Sequence, residues 1–205
     1  PHMLPSANEF ARAVGALGLG SDDRIVVYDR NGMAPSARVW WTFRAFGHTS
    51  VAVLDGGFEA WLDQGGDTSN EASAPADTLY HATYDPGVVC SLEEMRALTT
   101  DQNPPEQIID ARSSGRFLGT EPEPRPGIRA GRMPGSLNVP STGMIDTDTG
   151  LLLDTAALRE RFEAAGVDLT RPMVTSCGSG VTAAFLAFAL HQIGAPDAAV
   201  YDGSW

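Results

Sequence analysis

Cys177 opens the run CGSGVTA (177–183), and the residue types there suit one kind of chemistry. The thiol follows an apolar stretch, PMVTS (172–176), that reads as a strand. It precedes VTAAFLAFALHQIG (181–194), which reads as a helix stopped by Gly194. Gly178 and Gly180 allow backbone angles that a side chain would forbid. Successive amides can then converge on one point above a helix N-terminus, and such a nest favours a thiolate over a thiol. Ser179 adds a hydroxyl donor within the ring, and Thr182 is expected to cap its far end. The carboxyl end of a strand is also where open α/β sheets bind ligands. Cys177 therefore reads as a nucleophile. The other cysteine, Cys90 in GVVCSLEEM, reads as a small buried hydrophobe ahead of a helix capped by Ser91, with Glu94 three residues on.

The elements that must position such a thiol are legible around it. RIVVY (24–28) reads as a buried strand, and SARVWWTFRAF (36–46) as a helix with Ser36 at its N-cap. SVAVLDGG (50–57) is a second strand ending in a Gly turn, followed by a short helix, FEAWLDQGG. Strand–helix–strand–helix predicts a parallel sheet with helices on its faces. The second half repeats the pattern: FGHTSVAVLDGG (46–57) lies on IGAPDAAVYDGS (193–204) at an offset of 147, and VVYDR (26–30) lies on MVTSC (173–177). This period implies two domains rather than a solenoid. In that ungapped register Cys177 falls on Arg30, so only the second domain is chemically competent. The expected division is 1–66, a linker over 67–83, and 84–205. GGDTSNEASAPAD (65–77) has linker composition. The first strand of the second domain is expected at QIIDAR (107–112). Residues 113–135 read as a long irregular passage, with four prolines, five glycines and four arginines. A loop of that length within a compact domain is usually functional.

Bulk properties exclude several classes. The 205 residues carry a net charge of −12, which argues against nucleic-acid binding. An anionic substrate would have to be drawn in by a local arginine cluster. No apolar run approaches the roughly 20 residues of a membrane span, and no signal-type segment opens the chain. Two cysteines do not make a disulfide scaffold, so a reducing compartment, the cytoplasm, is expected. The chain opens on Pro1, which reads as a processed or trimmed start.

CGSGVTA resembles the active-site loop of the two-domain rhodanese-like sulfurtransferases, in their 3-mercaptopyruvate branch. DARSSGRFLGTEPEPRPGI (110–128) resembles that family's substrate-binding passage, and GRMPGSLNVP (131–140) a signature in which His usually stands at the place of Arg132. APSARVWWTFRAFGH and VLDGGFEAWL resemble the inactive N-terminal domain, and YDGSW the strand after the catalytic helix. The resemblance implies two tandem α/β domains, each with a central parallel sheet, and an active site between them. It implies that Cys177 takes sulfur from 3-mercaptopyruvate as a persulfide, releases pyruvate, and passes the sulfur to thioredoxin, a small thiol or cyanide. No metal or organic cofactor is implied. Gly178, Gly180, Val181 and Thr182 would cradle the substrate and sulfur. Arg116 and Arg125 match the family's substrate arginines, and a guanidinium fork suits a 2-keto carboxylate. Ser179 matches a serine that helps move protons, and His2 a histidine of the same relay whose acidic partner would lie upstream of this sequence. Arg112 and Arg129 are expected to be solvated surface charges. The family chain is longer at both ends, so the first domain is expected to expose a sheet edge.

Neutral Gly178 and Ser179 favour 3-mercaptopyruvate over thiosulfate, whose branch has Arg and Lys after the cysteine. A cysteine phosphatase would need a longer loop closed by an arginine, and no arginine follows Cys177 before the helix. The third reading is a non-catalytic binding module on the same fold.

Overall fold

The computed structural model describes residues 3–196 and 198–205. Helix α1 (Ala7–Ala16) starts on a reciprocal cap, with Glu9 N donating to the Ser6 hydroxyl and Ser6 N to the Glu9 carboxylate. Strand β1 (Ile25–Val27), helix α2 (Ala34–Ala45), strand β2 (Val51–Val53) and helix α3 (Gly57–Asp63) follow. The two strands pair in parallel, with Ile25 opposite Val51 and Val27 opposite Val53. Phe10 on α1 packs against Phe43, Phe46 and Tyr80 at ring-centroid distances of 5.2, 4.4 and 5.8 Å. The N-cap of α2 is Met33 in the left-handed region (φ 68°), not Ser36. Ser36 lies inside the first turn, where its hydroxyl donates to Asp29 at 2.6 Å.

Residues 66–85 form no helix or strand and are mostly exposed. They are still tied to the first sheet's helices, by Thr78 N to Gly15 O and by Asp85 N to Ala45 O. Gly15 permits this approach, since a Cβ there would lie 2.4 Å from the Thr78 carbonyl.

The second sheet begins earlier than residue 107, with the two-residue strand β3 (Val89–Cys90). Helix α4 (Leu92–Thr100) carries the Ser91–Glu94 capping box expected of it. Strand β4 (Gln107–Asp110), helix α5 (Ser114–Leu118), strand β5 (Leu137–Asn138) and helix α6 (Thr155–Ala164) come next, and then strand β6 (Met173–Ser176), helix α7 (Val181–Gln192) and strand β7 (Ala199–Tyr201). The passage 113–135 is thus not wholly irregular, because α5 lies within it. All five strands are parallel, in the order β3-β7-β6-β4-β5. Every residue of β4 and β6 is buried, as in a parallel sheet covered on both faces. Among the described residues no helix is long and apolar enough to cross a membrane.

The two halves are joined through equivalent elements. The bounds of α2 and α7 differ by 147 at both ends, and these helices pack on each other, with Trp40 edge-on to Phe188 at 5.1 Å. Residues 183–190 of α7 are all buried. Asp55 accepts from Leu152 N and Asp202 from Leu4 N, each at 2.8 Å, so the two Asp-Gly turns each hold a backbone amide of the opposite half.

The strand register corrects one equivalence. Val27 faces Val53, and Thr175 faces Val200. With Val53 and Val200 equivalent at 147, Val27 matches Thr175 at 148, and Asp29 then matches Cys177. Backbone bonds agree, because Phe58 N donates to Asp29 O and Trp205 N to Cys177 O, both at 2.9 Å. The first loop is one residue longer, so Asp29 rather than Arg30 stands in the cysteine's place. Arg30 lies on the surface with its guanidinium 4.1 Å from the Phe58 ring centroid.

Candidate active site

Cys177 follows directly on β6, the middle strand of the second sheet, and is 1% exposed. The chain then turns through Gly178 and Ser179 to Gly180, whose left-handed φ of 78° starts α7. Two amides converge on the sulfur: Gly180 N lies 3.0 Å from Sγ and Ser179 N 3.4 Å. Ser179 thus serves the sulfur through its amide. Thr182 is not the cap; it sits in the first turn of α7, and no side chain caps that helix. Val181 is the first helical residue, half-buried beside the loop. The arrangement is a fixed set of dipoles aimed at one sulfur, which is the way a protein stabilises negative charge without a full counter-charge.

The equivalent loop of the first half has the same kind of nest but holds its own anion. The Asp29 carboxylate accepts from the amides of Asn31, Met33 and Ser36 at 2.6, 3.3 and 2.8 Å, and from the Ser36 hydroxyl. Burial pushes the Asp29 carboxyl up, but these donors outweigh it and hold it below the ordinary aspartate value. A resident carboxylate therefore occupies the donors that would serve a reacting sulfur.

Cys90 fits its structural reading. It is 3% exposed in a small apolar cluster with Met95, Ile108, Val174 and Tyr201. Burial pushes its thiol up to about 12, with the nearby Glu94 and Glu106 charges adding to the shift, so it stays protonated at neutral pH.

The structure separates the two substrate arginines. Arg116, on α5, lies directly over the cysteine loop: a Cβ on Gly178 would sit 2.7 Å from Arg116 Nη2. Its Nε and Nη2 donate to Glu123 at 3.2 and 2.6 Å, leaving the Nη1 edge for a ligand. Arg125 is exposed and forms no ion pair with any described residue. His2 lies outside the described residues.

Arg112 is a correction. Its side chain has no exposure, and it donates to Asp110 at 2.6 Å, to Glu123 at 2.8 Å and to Gly131 O at 2.8 Å. It is the buried hub that fixes Glu123, and through Glu123 it fixes Arg116. Arg129 is exposed as expected, and its guanidinium stacks 4.8 Å from the Trp205 ring centroid. Arg132 stacks on Phe117 at the same distance, a packing role.

Sequence reasoning missed Glu123, Arg38 and Asp202. Arg38, on α2 of the first half, donates to Gly180 O at 3.3 Å and to Asp202 at 2.8 Å, while its guanidinium covers Trp41. One half's helix thereby holds the other half's loop. The duplicated Asp-Gly pair was the one available signal for Asp202; Glu123 and Arg38 carry no local signature.

Glu123 gives a pH test. Burial would raise its pKa, but the hydrogen bonds from Arg116 and Arg112 win and hold it below the ordinary glutamate value. A depressed carboxylate contributes stability that is fully present above its unfolded pKa and is lost as pH falls through the folded value. Thermal melts between neutral pH and pH about 3 should thus show an acid-side loss that Glu123→Gln flattens. Parallel curves for the two proteins would remove the cluster from the acid response.

Among the described residues no three His, Cys, Asp or Glu side chains gather as metal ligands would. The site is built around a single cysteine at the end of a parallel strand, with two amides aimed at its sulfur. The Rhodanese-like domain model matches residues 2–64 and again 91–205. The chain is 42% identical to human 3-mercaptopyruvate sulfurtransferase, over all of this chain and 68% of that protein. It is 41% identical to bovine thiosulfate sulfurtransferase, over 99% of this chain and 68% of that one. The crystal structure of SseA from Escherichia coli, described as a 3-mercaptopyruvate sulfotransferase with the rhodanese fold, superposes with a TM-score of 0.88 at 34% identity, over all of this chain and 75% of that one. The chain belongs to the rhodanese-like sulfurtransferase family.

Proposed function

We propose that this protein transfers sulfur from 3-mercaptopyruvate to a thiol acceptor through a persulfide on Cys177. The observation that carries the reading is the convergence of the Ser179 and Gly180 amides on Cys177 Sγ, with Arg116 over Gly178. In the first half-reaction the thiolate attacks the substrate sulfur. An S–S bond forms, the C–S bond breaks, and its electron pair leaves as the enolate of pyruvate. The substrate's thiol proton ends on that carbon, giving pyruvate and Cys177–S–S⁻. In the second half-reaction an acceptor thiolate takes the outer sulfur and Cys177 is released as thiolate. Two half-reactions through one covalent intermediate predict ping-pong kinetics.

Relatives bearing both donor names match at nearly equal identity, so overall similarity does not choose the donor. The loop does favour one. Gly178 and Ser179 add no charge to serve a dianion, and the Nη1 edge of Arg116 suits a single carboxylate. Arg125 and His2 remain candidates for the same site on the strength of the family resemblance. We place the working division at 1–66 and 84–205, with a small-molecule sulfur donor, thioredoxin or a small thiol as acceptor, and a cytoplasmic setting.

The test is sulfur transfer from 3-mercaptopyruvate and from thiosulfate side by side, with one acceptor. The expected result is a strong preference for 3-mercaptopyruvate. Preference for thiosulfate would retain the nucleophile and refute the donor.

A further inference from the structure

Ser204 is a polar residue with an unexplained cost. Its φ is 58°, in the left-handed region where a side chain is strained. At the equivalent position in the first half the chain carries Gly57, with φ 62°. A Cβ on Gly57 would lie 2.3 Å from the carbonyl of Asp29, the residue in the cysteine's place. The inert half therefore uses the residue its backbone asks for, while the half with the thiol carries a serine there. The Ser204 hydroxyl oxygen is buried and has no hydrogen-bond partner, which adds a desolvation cost to the strain. It is also next to the loop: a Cβ on Gly180 would lie 3.7 Å from Ser204 Oγ. The following residue, Trp205, donates its amide to the carbonyl of Cys177.

We propose that Ser204 is a positioning residue of the cysteine loop, its hydroxyl held in reserve for the state in which Cys177 carries a second sulfur. The proposal rests on the persulfide reading above. In the unloaded protein Sγ is served by two amides. A second sulfur places the anionic end about 2 Å further out, one S–S bond, and the loop has to follow it. The Gly180 carbonyl is held by two long bonds, from Arg38 Nη1 and from Ala184 N, each 3.3 Å, so a better-placed donor can displace either. Ser204 O–H is the buried donor beside that peptide. By taking this bond in the loaded state it holds the Gly180 amide toward the sulfur, so that the strain is offset only when sulfur is bound.

The experiment loads Cys177 with inorganic polysulfide: the thiolate attacks a polysulfide sulfur, and the shortened polysulfide leaves. The gain of one sulfur on the Cys177 peptide is then followed by mass spectrometry without acceptor, in wild type, Ser204→Ala and Ser204→Gly. Both variants should lose the persulfide about tenfold faster, a modest effect of the size expected for one hydrogen bond. Ser204→Gly should also melt about 2–4 °C higher, because it relieves the left-handed strain. Alkylation of unloaded Cys177 by iodoacetamide should proceed at the wild-type rate in both. A wild-type persulfide lifetime in Ser204→Gly overturns the proposal. So does a change in the alkylation rate or a lower melting temperature, since the residue would then be shaping the unloaded loop. Loading by polysulfide but not by 3-mercaptopyruvate would refute the donor reading and leave the Ser204 test intact.

Discussion

Cys177→Ser is expected to abolish sulfur transfer, a loss of about 10⁴-fold or more, because the covalent intermediate has no atom on which to form. Cys90→Ser should leave turnover close to wild type. The contrast follows from environment, since both thiols are buried. Cys177 has two amide donors aimed at its sulfur, whereas Cys90 has apolar neighbours and a thiol pushed up to about 12. Pyruvate release with 3-mercaptopyruvate measures the first loss, and the mass of each cysteine peptide locates the added sulfur. If both substitutions removed activity equally, the cause would be structural and the nucleophile assignment would fall. The same contrast extends to the first half. Asp29 already fills its nest, so placing a cysteine at Arg30 should generate no persulfide there, whatever the donor.

Arg112→Ala should be the most destabilising single change near the site. It removes the cation from a cluster in which the Asp110 and Glu123 side chains are 2% and 4% exposed. Breaking a buried pair by deleting one partner costs about 3–5 kcal/mol, because the carboxylates are left desolvated and uncompensated. At this chain length that corresponds to a melting temperature lower by about 6–20 °C. Thermal unfolding by circular dichroism reads the shift directly. A fall of less than about 2 °C would mean that water reaches the cluster and that Arg112 is not its hub. The change should also impair the mercaptopyruvate half-reaction, because Glu123, which fixes the Arg116 fork, loses its own anchor.

The sequence carried the alternation of strands and helices, the cysteine loop and the duplication, because each has a local signature. Helical spacing marks α2, an unbroken apolar run of helical length marks α7, glycines mark the turn after Cys177, and a repeated Asp-Gly marks the ends of β2 and β7. The short elements were not legible. Strands β3 and β5 have two residues each, too few for any period, and α5 is hidden among prolines and glycines. The one-residue insertion between Asp29 and Met33 was invisible to an ungapped comparison, which is why Arg30 stood where Asp29 belongs. Burial of charge was the other gap. Nothing in the residue name separates Arg112, enclosed by two carboxylates, from Arg125, which is exposed; only the fold decides which guanidinium meets an acid.

The packing of α2 on α7 has an evolutionary reading. Two copies of one unit meet through the same helix, and each Asp-Gly turn accepts an amide from the opposite copy. That is the reciprocal geometry of an isologous dimer, in which residue i meets j and j meets i. The arrangement is what a symmetric pair of identical subunits would leave after fusion into one chain. Within that reciprocal pair the halves differ: the second presents Cys177 to its amide nest, while the first fills its nest with Asp29 and supplies Arg38 to the other half's loop.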